Sequence, residues 1–269
     1  MDHTAKIREF YSNAKLEWDR LEKGFAHEKY ITLRMMDRFM PSSGRLLDIG
    51  GGPGHYSLYY AKKGLDVTLL DLSVENLRFA ESKAAEQGVR LTACLGNALE
   101  LSAFSDGEFD AVFLMGPLYH LLEEAERRRA LNEAVRVLKS GGILVCSFIL
   151  SFAQVIYAMR ERPSTILEEG SKAWMSAAAK GESISFAPFD FTFAYETTVQ
   201  DACALIASNS ALKLRSMFSQ EGILAPYCAR LAQMPEQQRL AWYEYSLGFC
   251  DKPEYLSHAE HLAVIAEKL

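Results

Sequence analysis

Arg45-Leu46-Leu47-Asp48-Ile49-Gly50-Gly51-Gly52-Pro53-Gly54-His55-Tyr56 is the stretch around which the rest of the chain is organised. A short apolar run rich in Leu and Ile reads as a buried strand. It ends in an acid followed by four glycines within five residues. Glycine reaches backbone angles closed to other residues and carries no side chain, so a ligand can lie on the main chain. Tyr56 to Lys63 then begins a helix that Gly64 stops. Strand, glycine loop and helix start form a small-molecule cradle, with a partly positive helix end aimed at whatever is bound.

Spacing separates two ligand classes. A dinucleotide fingerprint runs Gly-x-Gly-x-x-Gly or Ala, its third small residue letting helix close on strand. Counted from Gly50 that position is His55, which is too large, and counted from Gly52 it is Ser57, which is displaced. The stretch instead reads Asp-x-Gly-x-Gly-x-Gly at Asp48, Gly50, Gly52 and Gly54. This pattern resembles the first motif of class I S-adenosylmethionine-dependent methyltransferases.

The following elements extend the resemblance. Asp66 to Asp71 is a second strand, its terminal acid about twenty residues past the loop, where ribose hydroxyls want an acceptor. Ser73 caps an amphipathic helix that ends at Gly88. A third strand, Arg90 to Leu95, runs into Gly96-Asn97-Ala98, where the family usually has an acid toward the adenine amino group. Asn97 stands there instead, and its amide oxygen can also accept. The fourth strand, Phe109 to Met115, ends in Gly116-Pro117-Leu118-Tyr119-His120. A charged helix from Glu123 to Lys139, a stop at Gly141-Gly142 and a fifth strand, Ile143 to Phe148, complete the order. The resemblance covers roughly residues 45–150. It implies a Rossmann-like, doubly wound α/β sheet of seven strands, mostly parallel, with the last strand antiparallel between the fifth and sixth. Leu212 to Phe218 is the sixth strand and His261 to Lys268 the last.

Around that core, residues 1–44 read as an N-terminal helical lid, with helices over Phe10 to Asp19 and Tyr30 to Met40. Residues 151–195 read as a cap insertion, helical to about Gly181 and then strand-like through Phe186 to Tyr195. Residues 196–269 finish the sheet, with a helix over Thr198 to Ser208 and a second helical insertion at about 223–253. Both insertions lie over the carboxyl ends of the strands, where open α/β sheets bind ligands. Their aromatic content suits an apolar or planar small substrate.

Composition narrows the partners. The chain has 269 residues, 49% hydrophobic content and a formal net charge of −6, with no basic block of the kind that tracks phosphates. A nucleic-acid partner is not expected, nor a membrane, since no stretch is long and apolar enough to span one. Five cysteines, widely spaced and odd in number, show no metal-ligand spacing and read as inert thiols of a reduced cytoplasm. Oligomeric state is left open.

By resemblance, Gly50, Gly52 and Gly54 let the methionine and ribose parts of S-adenosylmethionine approach the main chain. Asp48 would orient the methionine amino end, Asp71 with Leu72 would meet the ribose, and Asn97 with Ala98 the adenine. Met115 and Gly116 would pass the sulfur end, and Tyr11 or Trp18 would cover the cofactor. Tyr119 and His120 sit at the mouth, where His120 would either pack beside the cofactor or take a proton from the acceptor. His258 and His261, three residues apart, read as a surface pair, and no metal is expected. The leading function is methyl transfer to a small molecule. Methylation of tRNA or protein, a nicotinamide-dependent oxidoreductase and an inactive cofactor-binding protein are the alternatives. The sequence Gly116-Pro117-Leu118-Tyr119 lacks the polar acceptor that base-amino methyltransferases carry there.

Overall fold

The computed structural model describes residues 3–186 and 194–269. The chain opens with helices α1 (His3–Phe10), α2 (Ala14–Asp19) and α3 (Ala26–Met36), a π-helical turn over Arg20–Gly24 joining the last two. Then come β1 (Arg45–Ile49), α4 (His55–Lys62), β2 (Asp66–Asp71), α5 (Val74–Glu86), β3 (Thr92–Leu95) and β4 (Phe109–Leu114). After β4 follow α6 (Pro117–His120), α7 (Glu124–Val137), β5 (Leu138–Leu150), α8 (Ala153–Glu161) and α9 (Lys172–Lys180). The chain closes with β6 (Ile184–Phe186), β7 (Ala194–Thr197), α10 (Val199–Ala207), β8 (Leu212–Ser219), α11 (Cys228–Ala232), α12 (Glu236–Ser246), α13 (Pro253–Leu256) and β9 (His261–Lys268).

The sheet runs β3-β2-β1-β4-β5 in parallel, and β9 inserts antiparallel between β5 and β8. These are the seven strands read from the sequence, in the expected order. Two short strands are added to them. β7 pairs in parallel with the last two residues of β5, on the side that β4 leaves after Cys146, and β6 pairs with β7. The sheet thereby reaches beyond its core toward the ligand end. Of the strand expected over Phe186 to Tyr195, residues 187–193 lie outside the described residues.

Strand side chains alternate between two buried faces. Leu47, Val112, Leu144 and Cys146 pack with Ala130, Leu131 and Ala134 of α7 and Ala202 and Ile206 of α10. Leu46, Phe113, Val145 and Ile265 pack with Ile31, Met35 and Met36 of α3, Tyr60 of α4 and Tyr243 of α12. Each fully buried apolar side chain contributes about 1.5–3 kcal/mol of transfer free energy. The three from α3 therefore hold the N-terminal segment to the core.

Some boundaries differ from the periodicity. The helix expected over Phe10 to Asp19 is broken at Tyr11–Asn13, because the Asn13 side chain accepts from the Leu16 amide (3.2 Å) and starts α2 afresh. The second helix starts at Ala26 and stops at Met36, earlier at both ends than Tyr30 to Met40. The charged helix stops at Val137, before its glycines, because Leu138 turns extended to pair with Phe109.

Candidate functional site

The loop between β1 and α4 holds its shape by main-chain bonds that need glycine. Gly50 sits at φ +69° and donates to the Leu70 carbonyl (2.6 Å), and a Cβ there would stand 2.8 Å from Pro117 Cγ. Gly54 sits at φ +86° and a Cβ would stand 3.1 Å from that of Ala80. Gly54 is the point at which α4 closes on α5. It does not line the cavity, unlike Gly50 and Gly52, and its close approach to Ala80 serves packing.

Two acids lie beneath and beside the loop. Asp48 is 1% exposed and accepts from Ser57 Oγ at 2.7 Å. Burial raises its pKa to about 7, the Ser57 bond opposes the rise, and the nearby Asp71 charge adds to it. Asp71 ends β2 and accepts from three donors, the Gly52 amide (2.9 Å), the Ser73 amide (2.8 Å) and Asn76 Nδ2 (3.2 Å). Burial pushes its pKa up against those bonds. One oxygen, Oδ2, has a single protein donor and keeps a lone pair for a ligand.

These residues face a cavity of about 630 Å³, within the range of roughly 300–1,000 Å³ that small-molecule sites occupy. Gly50, Gly52, Asp48, Asp71 and Leu72 line one side, and Asn97, Ala98, Met115 and Gly116 the next. A Cβ on Gly116 would stand 2.9 Å from the Gly50 carbonyl, so these two glycines leave the opening between β1 and β4 clear. The Asn97 oxygen already accepts from the Leu99 amide (3.0 Å), which leaves it one lone pair rather than the two a free amide would offer.

Tyr11, Tyr119 and His120 close the mouth. Tyr11 Oη lies 2.9 Å from His120 Nε2, and the His120 ring meets Tyr11 and Tyr119 edge-on. Burial raises the pKa of both tyrosines, so their hydroxyls stay protonated. Trp18 does not share this roof. It stacks on His55 at 3.9 Å between ring centroids, with its carbonyl 3.0 Å from His55 Nε2, outside the cavity wall. Burial lowers the His55 pKa to about 4, so the ring packs there neutral.

The deep end is made of residues that no local pattern singled out. Arg20 holds Glu28 through two bonds (2.7 and 3.3 Å) from the π-helical turn. Burial works against the Arg20 charge, and Glu28 more than offsets it. His258 is exposed, as expected of a surface residue. His261 is not: it lines the cavity, with Nδ1 2.5 Å from Glu221. Burial disfavours the His261 charge, but Glu221 and Glu28 outweigh it and raise its pKa to about 9. Ligand atoms of Glu28, Glu221 and His261 lie within 4.8 Å of one another, yet Arg20 already occupies Glu28 and His261 occupies Glu221. Beyond them stand Ser147, Gln220, Gln154 and Glu196. Eight residues separate Arg20 from Glu28, forty separate Glu221 from His261, and no helical or strand spacing links either pair.

Open α/β topology, a glycine bend after β1, an acid ending β2 and a cavity over the strand ends define a class I S-adenosylmethionine-dependent methyltransferase fold. Residues 47–146 match the methyltransferase domain family. The ubiquinone biosynthesis O-methyltransferase of Xanthomonas axonopodis pv. citri is 34% identical over 148 residues, 54% of this chain and 61% of that protein. The first curated relatives are spanned over about half their length, 48% in each case. Among solved structures, a SAM-dependent methyltransferase from Methanosarcina mazei aligns at TM-score 0.57 and 21% identity, covering 87% of this chain and 97% of that one. The PH0226 protein of Pyrococcus horikoshii aligns at 0.59 and 16%, covering 96% and 93%. At these identities the structures speak for the fold. No helix among the described residues is long and apolar enough to cross a membrane.

Proposed function

We propose that this chain transfers a methyl group from S-adenosylmethionine to a small-molecule acceptor. The observation that carries the reading is one continuous cavity that runs from the glycine bend and Asp71, past His120, to the residues that follow β5. It therefore has room for a cofactor and for a second ligand beyond it. The cradle fits the cofactor: Gly50 and Gly116 leave main chain open, and Asp71 retains an acceptor site toward a ribose.

When bound, the cofactor supplies a sulfonium methyl already activated for in-line displacement. The protein's work is then alignment and exclusion of water. Asp48, Gly50 and Gly52 hold the methionine end, Asp71 and Leu72 the ribose, Asn97 and Ala98 the adenine, and Met115 and Gly116 border the sulfur. Residues 1–44 form a lid that brings Tyr11 onto His120. In this arrangement His120 closes the roof and orients the acceptor through its bond with Tyr11. The described parts of segments 151–195 and 223–253 supply the acceptor side. The five cysteines are all free, which supports a reducing compartment such as the cytoplasm. A net charge of −6 speaks for a small acceptor over tRNA.

Calorimetric titration with S-adenosylmethionine, S-adenosylhomocysteine and NAD tests the reading. Saturable binding of the first two and none of NAD is expected. Binding of NAD with no response to the others would overturn it.

A further inference from the structure

The carboxylates at the deep end of the cavity differ in one respect. Glu28 is matched by Arg20, Glu221 by His261 and Glu260 by Arg160. Glu196 has no such cation: among the described residues no Lys, Arg or His lies within ion-pair distance of it. Its Oε1 accepts from Gln154 Nε2 at 2.6 Å, while Glu196 Oε2 and Gln154 Oε1 have no hydrogen-bond partner. Glu196 is 1% exposed and Gln154 8%, and both line the cavity. The fold sets this pair deliberately at the ligand end. Ala194 and Glu196 share one face of β7, which extends the sheet beyond β5, and Gln154 comes from the first turn of α8.

Two buried oxygens without donors, beside the one of these four carboxyls that no cation matches, call for a group rich in N–H bonds and positively charged. We propose that Glu196 and Gln154 receive a protonated amine of the acceptor, so that the substrate is a small amine-bearing molecule rather than a neutral phenol or quinone. The inference deepens the methyltransferase reading and rests on it. Burial raises the Glu196 pKa to about 8, with the Gln154 bond and the His261 charge opposing the rise. Free protein therefore carries this carboxyl mostly protonated at neutral pH. The ammonium donates one N–H to Glu196 Oε2 and another to Gln154 Oε1, and the carboxyl proton leaves to solvent. His261 on β9 keeps its own charge on Glu221 throughout.

The test uses the full chain saturated with S-adenosylhomocysteine, titrated with phenethylamine and tyramine and with their alcohol counterparts, 2-phenylethanol and 4-(2-hydroxyethyl)phenol. The amines are expected to bind about 10- to 100-fold tighter, the worth of a charge-assisted hydrogen bond. Calorimetry in buffers of different ionisation enthalpy should show release of about one proton at pH 7 with the amines and none with the alcohols. Glu196→Gln keeps the shape of the pair and should bring the amine-to-alcohol ratio to within about twofold. Gln154→Met should lower amine affinity severalfold, giving a second variant if the first folds poorly. Homocysteine-product binding by each variant reports that it is folded. Equal binding of amines and alcohols, a preference that survives in Glu196→Gln, or no amine binding overturns the proposal and marks the pair as a neutral acid–amide contact sealing the wall. Failure of wild-type protein to bind S-adenosylhomocysteine instead removes the methyltransferase reading, and this proposal with it.

Discussion

Replacing Asp71 by Asn changes one atom and separates the two tasks this residue performs. The carboxylate accepts from the Gly52 amide, the Ser73 amide and Asn76 Nδ2. An asparagine keeps one accepting oxygen. With that oxygen on Ser73 and Asn76, its NH2 faces the Gly52 N–H, donor against donor. The part-buried Gly52 amide then loses its acceptor, at a cost of about 1–3 kcal/mol. Burial already penalises the charge on Asp71, so the neutral side chain recovers part of this. A net loss of about 1–2 kcal/mol in urea unfolding follows. Ligand affinity should fall further, because the variant both frees the loop at Gly52 and presents a donor to the ribose. Loss of one hydrogen bond to a charged group alone predicts a drop of about 10- to 100-fold in S-adenosylhomocysteine affinity by calorimetry. Asp71→Asn binding within about threefold of wild type, an energy difference below 1 kcal/mol, would refute the assignment of Asp71 to the sugar.

His261 has a folded pKa of about 9, above its ordinary value of 6.5. Its contribution to stability is then fully present below pH 6.5 and lost as pH rises through 9. His261→Asn should accordingly cost most in thermal midpoint near pH 6 and least near pH 10, and a pH-independent cost would refute the buried charge. Asp48 also has a raised pKa, so its stability is likewise lost as pH rises, here through about 4 to 7, because the ionised carboxyl is the destabilised form. Asp48→Asn should gain stability relative to wild type as pH rises from 4 to 8 while weakening cofactor binding, and unfolding curves at the two pH values check this. Gly50→Ala combines a strained φ with a clash against Pro117, worth about 2–5 kcal/mol together, and should abolish cofactor binding in a titration. Tyr11→Phe and His120→Ala should each slow methyl transfer without changing the pH profile, and a lost ionisation near neutral pH would assign His120 as a base.

The apolar runs that make β1, β2, β4 and β5, and the glycine bend after the first of them, are local properties of the chain. Alternation, strand length and turn residues act within a few positions, so the strands and the loop acids were legible, and the resemblance they carry implied the doubly wound sheet with its antiparallel last strand. Asp48, Asp71 and Asn97 could be placed by resemblance because each lies at or next to the carboxyl end of a core strand. The π-helical turn that aims Arg20 at Glu28, the inward rotation of His261 onto Glu221 and the pairing of Gln154 with Glu196 were decided only in three dimensions. Those partners lie 8, 40 and 42 residues apart, on elements that meet only once the lid, the cap and the last strand have packed on the core. Trp18 and Gly54 show the same limit from the other side. Each belongs to a sequence pattern that suits ligand contact, and each is turned to packing by a neighbour, His55 for one and Ala80 for the other. Backbone pattern specifies where a cofactor can lie, whereas the charge and hydrogen-bonding character of the space beyond it depends on burial and long-range contact, which no local stretch encodes.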